Sequence, residues 1–101
     1  MPNYYSKKNY TFKGFRKSKT KTAKYDAILE RNDDNKLFFM PFGSKINSQY
    51  QDSTGLGLYS HLDNNDKKKR LLFRKRFQKL KDKQDWNKGY TRLYWSWHFL
   101  W

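Results

Sequence analysis

The rhythm of apolar and polar positions changes along the chain, and each change predicts an element. Residues 24–31 alternate: Tyr25, Ala27 and Leu29 fall on one side and Asp26, Ile28 and Glu30 on the other, the period of a strand. Asn32-Asp33-Asp34-Asn35 follows, a run of turn formers whose short side chains tolerate left-handed backbone. Lys36 to Phe42 is then apolar on both faces, so the pair reads as a β-hairpin closed by Gly43. Pro41 has no N–H to give a ladder and belongs at an edge or a strand end. From Lys67 to about Lys83 the period lengthens to that of a helix. Phe73, Phe77 and Leu80 recur at spacings of four and three, flanked by Leu71 and Leu72. Asp63 or Asn65 is expected to cap it, accepting from the free amides of its first turn. Asp85 to Gly89 breaks this helix. A short final helix then carries Tyr90, Leu93, Tyr94, Trp97, Leu100 and Trp101 on one line, with Trp95 and Phe99 off it. An end so aromatic all round is expected to be buried against the hairpin, the basic helix or a neighbouring chain.

The remaining stretches lack a sustained period. Residues 44–62 read as loop, with Tyr59 as a short aromatic hook. Gly55-Leu56-Gly57 lacks the third glycine and the strand–helix frame of a phosphate loop, so it reads as a turn. Residues 1–23 mix Pro2, Gly14, Ser and Thr with charges and read as an extended arm. Pieces around Tyr10–Phe15 are expected to become strand where a partner offers an edge. The expected fold class is α+β: a small hairpin packed on a basic amphipathic helix and an aromatic C-terminal helix, residues 24–101, preceded by the arm.

Composition sharpens this picture. At 101 residues, 8 Tyr, 8 Phe and 4 Trp must supply most of the core, because aliphatic residues are scarce. With no cysteine there is no disulfide, thiolate metal site or thiol nucleophile. No apolar run approaches a membrane span or a signal peptide, so the chain reads as soluble and intracellular where it is made.

The net charge of +14 lies in two blocks, which makes it a statement about partners. Residues 1–24 carry no acid, and the helix sets Asp66 and Asp82 against a crowd of Lys and Arg. Like charges one turn apart repel by a few tenths of a kcal/mol per pair, a penalty that an anionic partner removes. The expected contacts are Lys7, Lys8, Lys13, Arg16, Lys17, Lys19 and Lys21 in the arm. In the helix they are Lys67, Lys68, Arg70, Arg74, Lys75 and Lys79. The arm aromatics Tyr4, Tyr5, Tyr10, Phe12 and Phe15 are expected to act as anchors, stacking on unpaired bases or filling pockets of a protein.

Catalysis has little material. His61 and His98 lack partners at a recognisable spacing, and His98 between Trp97 and Phe99 reads as a packed ring. Asp34-x-Lys36 has the look of the acidic-x-Lys end of a metal-dependent nuclease, but it sits in a turn without a companion acid. No catalytic residue, metal, cofactor or small-molecule substrate is expected.

From Lys24 onward the layout resembles a family of small, basic, uncharacterised proteins of large nucleocytoplasmic DNA viruses. The resemblance rests on Lys24-Tyr25-Asp26-Ala27, Phe42-Gly43, Gln49-Tyr50-Gln51-Asp52 and the Lys/Arg-rich run from Asp66 to Phe77. The closing Tyr94-Trp95-Ser96-Trp97 with Leu100-Trp101 belongs to the same pattern. No catalytic residues are attached to that family; the long basic arm is a departure from it. It implies a non-catalytic structural part of a virion, a minor capsid or core protein made in the host cytoplasm or nucleus. Its partners would be capsid proteins, DNA or both within a larger assembly. The alternative is a free, sequence-independent nucleic-acid-binding protein, viral or ribosome-associated.

Overall fold

The alternating stretch forms the middle strand of a sheet. The computed structural model describes residues 4–101. In chain order its elements are β1 (Tyr5–Ser6), β2 (Tyr10–Lys17), β3 (Ala23–Arg31), β4 (Leu37–Ser44), α1 (Lys67–Asp82), β5 (Gly89–Tyr90) and α2 (Arg92–Phe99). The class is α+β. One antiparallel sheet has the order β2-β3-β4, and β1 pairs with β5 in a separate two-stranded ribbon.

The hairpin is present, with Tyr25 opposite Phe42 and Leu29 opposite Phe38. Tyr25, Ala27 and Leu29 are fully buried and share the core with Met40 and Phe42. The turn uses the residues expected of it: Asn35 takes φ 59°, and Asp34 accepts from the Lys36 amide. Pro41 lies in the outer strand β4, where a missing N–H spares the ladder. Gly43 takes φ 76°, and a Cβ there would sit 2.8 Å from Leu100 Cδ1. The end of β4 therefore reaches the chain after α2 only because this residue has no side chain.

The expected arm is instead part of the sheet from Tyr10 onward; residues 1–3 lie outside the described residues. β2 runs antiparallel along β3, with Phe12 opposite Leu29 and Lys17 opposite Tyr25. The edge expected of a partner is supplied by the chain's own β3. A bulge between Phe12 and Gly14 hides the strand period, since the extra residue puts Phe12 and Phe15 on one face although they are three apart. Their rings lie 4.9 Å from each other and 4.7 and 5.7 Å from Trp95.

The final helix also differs from expectation. Trp95 and Phe99, off the apolar line, are the residues that meet the sheet. Trp95 is 1% exposed, stacks on Tyr90 at 4.9 Å, and its indole N–H points at Met40 Sδ. The line itself faces α1, where Phe73 stacks flat on Trp101 at 4.6 Å and lies 6.4 Å from Trp97. A helix between two layers needs apolar side chains on both sides, so its one-sided stripe is only half the pattern.

Asp66, not Asp63 or Asn65, caps α1 by accepting from the amides of Lys68 and Lys69. Over its 16 residues the helix buries none completely. It is fastened by Phe73 and by Arg70 and Arg74, which donate to the backbone oxygen of Trp101 at 2.7 and 3.2 Å.

Tyr5 is buried beside Tyr10 and Phe38, yet its hydroxyl has no hydrogen-bond partner among the described residues. Removing an unsatisfied buried hydroxyl costs nothing and ends a desolvation penalty of about 1–3 kcal/mol. Tyr5→Phe is therefore expected to leave stability unchanged or raise it by up to about 1 kcal/mol. Urea denaturation checks this; a clear loss would show that the hydroxyl has a partner.

Candidate functional site

The structure sorts the expected cations into two groups. Several are occupied within the fold. Arg16 pairs with buried Asp26 at 3.0 Å and lies over the Phe39 ring at 3.4 Å. Lys13 lies 3.8 Å from Glu30, and Lys7 sits over the rings of Tyr90 and Tyr94. Arg70 and Arg74 hold the Trp101 carbonyl. The others, Lys8, Lys17, Lys19, Lys21, Lys67, Lys68, Lys75 and Lys79, are exposed and have no ion pair among the described residues. Sequence alone makes no such division, because the acids and rings that engage the first group come from other strands and helices.

The aromatic anchors need correction. Tyr5, Tyr10, Phe12 and Phe15 belong to the chain's own core or pack against it. Tyr4 alone of the five is exposed, with its hydroxyl 3.4 Å from the Asp85 carbonyl. Rings that offset the loss of chain entropy on folding are not free to enter a partner.

An open groove of about 880 Å³ runs between α1 and the sheet. On one side α1 offers Leu72, Phe73, Phe77 and Leu80, with Lys69 and Arg76 beside them. The other side is Pro41 to Ser44 of β4 and the Thr20–Thr22 turn between β2 and β3; α2 contributes Arg92 and Leu93 below. Lys19 and Lys21 flank Thr20 within that turn. The two cation blocks, far apart in sequence, thus meet at opposite walls of one trough. A single charge sign concentrated at a cleft focuses the field and raises the local concentration of anions.

A second cluster escaped sequence reasoning. Lys24 is buried and donates to the Asn47 carbonyl and to Gln49 Oε1. The Gln49 amide donates to Asp63 Oδ1 at 2.6 Å and to the Tyr59 carbonyl. Tyr25 donates to Asp52, while Leu58 N donates to Tyr25. Tyr59 packs edge-on to Tyr25 at 5.3 Å, which is the expected hook. These bonds stitch the long loop to the sheet. The only sequence signal was the recurrence of these polar residues in the motifs that carry the viral resemblance.

Burial pushes the Lys24 ammonium down to about 8, against the opposing pull of Asp52 and Asp63. Burial and the bond to Asp52 push the Tyr25 hydroxyl up to about 12. The signs oppose each other. Between about pH 8 and 10 the unfolded chain holds the Lys24 proton more tightly, so stability rises with pH. Between about pH 10 and 12 the unfolded chain loses the Tyr25 proton first, so stability falls. Denaturation across pH 7–12 should show a maximum near pH 10, with the rise diminished in Lys24→Met. An unaltered rise would assign it wholly to other lysines.

The enzymatic temptations find structural uses. Both oxygens of Asp34 are engaged by Arg31, at 3.0 and 2.6 Å, which holds its carboxyl down to about 2. His98 Nδ1 lies 2.9 Å from the Tyr94 carbonyl, and the ring packs by Trp86 although it remains exposed. Among the described residues no three His, Asp or Glu gather as metal ligands, and no helix is long and apolar enough to cross a membrane. No family model, curated protein or solved structure matches the chain.

Proposed function

We propose that this protein is a non-catalytic assembly component that clamps an anionic surface, with α1 as one jaw and the Thr20–Thr22 turn as the other. On the resemblance to small basic proteins of large DNA viruses, its place is in a viral particle, as a minor capsid or core protein. The observation that supports the reading is the grouping of lysines without ion pairs on the two walls of one groove. Nothing within the described fold compensates Lys68, Lys75 and Lys79, whereas Arg16 is compensated by Asp26. Such a surface gains by meeting fixed negative charge from outside and is indifferent to sequence.

Two measurements test it. Affinity for a 20-base-pair DNA duplex should fall linearly in log–log form as salt rises, with a slope of about −0.9 per phosphate contacted. In particles stripped of nucleic acid the chain should stay with the coat proteins. If it leaves with the genome, a free nucleic-acid binder is the better description. Indifference to every polyanion at low salt would end the proposal.

A further inference from the structure

We propose that the groove between α1 and β4 receives an acidic amphipathic helix from a protein partner, apolar side inward and carboxylates against the rim. The inference rests on the clamp reading for the sign of the partner's charge and goes further by naming its chemistry.

The apolar exposure of the molecule gathers here. Leu72 and Leu80 line the groove at 56% and 46% exposure, and Ile46, beside groove-lining Asn47, is 90% exposed. Contiguous exposed apolar surface with a polar rim marks a docking site for macromolecules. The rim here is Lys69, Arg76 and Arg92, so the complement is an apolar stripe bordered by acids.

Other occupants fit less well. A second copy would bring +14 against +14. Nucleic acid would satisfy the rim but not the floor. Phe73 is sandwiched between Trp101 and Phe77, at 4.6 and 4.7 Å, and presents no free face for base stacking. An added β-strand meets Pro41, which has no N–H, and Gly43 at φ 76°, which interrupts the edge. A bilayer is flat where this site is a trough. A helix with anchors at i, i+3 or i+4, and i+7 suits a groove walled by another helix.

The test uses the full chain and two fluorescein-labelled synthetic peptides of 15 residues. Both are Glu-rich and of equal charge; one carries a leucine stripe at helical spacing, and in the other the leucines are serine. Fluorescence anisotropy should show the leucine peptide binding at least tenfold tighter. Leu72→Ser/Leu80→Ser should lower that affinity at least tenfold and leave binding to the DNA duplex unchanged. Both leucines are half exposed, so the fold tolerates the change. Equal affinity of the two peptides overturns the groove proposal, while salt-sensitive DNA binding in the same preparation would leave the clamp standing. Tighter binding to phosphatidylserine vesicles than to the leucine peptide, lost in the double variant, overturns it in favour of a membrane. If neither peptides nor DNA bind at low salt, both readings fall.

Discussion

Trp95→Ala is expected to cost about 3–5 kcal/mol of folding stability, the range for removing a large buried ring. Trp95 meets Phe12 and Phe15 of β2, Phe42 of β4, Tyr90 of β5, and Phe99 of its own helix. One side chain thereby joins the sheet to the ribbon and to α2. Its loss cannot be repaired by local collapse, because the surrounding rings are rigid and held by different elements. A domain of this size has roughly 5–15 kcal/mol to lose. Thermal unfolding followed by circular dichroism should show a midpoint lower by roughly 12–40 °C. A cost under about 1 kcal/mol would mean that the core is centred elsewhere.

Lys68→Glu/Lys75→Glu/Lys79→Glu should weaken binding to duplex DNA by about 10²–10³-fold at 0.1 M salt if all three lysines contact phosphate. Each phosphate that is no longer neutralised takes about 0.9 off the log–log salt slope, so three lower it by up to about 2.7. All three are exposed on α1 and hold no tertiary partner among the described ion pairs. A carboxylate at position 79 would lie one turn from Lys83 and three residues from Arg76. Stability should therefore stay within about 0.5 kcal/mol, and weaker binding cannot be ascribed to unfolding. An unchanged slope would move the binding surface away from α1.

Legibility followed the range of the interactions. The core of α1 reads directly from sequence because a capping region and a one-sided apolar stripe are local properties; even so, the capping residue is Asp66, which receives a geometry that its polar neighbours do not. β3 reads as clearly, through strict alternation. β2 does not, since a single bulged residue turns its period of two into the spacing of three between Phe12 and Phe15. With the strand hidden, its rings and Arg16 look available to partners although β3, β4 and α2 already hold them. The cationic character of the site is visible in composition alone. Its groove is not, for it depends on bringing the turn after β2 against a helix some fifty positions onward. The Lys24–Gln49–Asp63 network carries no period whatever, because its bonds join a strand to a loop.

The outer strands β2 and β4 leave two backbone edges uncovered by other strands. Lys13 and Lys17 on one and Pro41 on the other discourage copies from joining there. Much of that safeguard is electrostatic, so whatever neutralises the lysines also disarms it. Near charge equivalence with a polyanion, solutions of this protein should turn turbid, and they should clear again in excess polyanion. Stoichiometry would then govern whether it condenses with its partner or coats it in isolated copies.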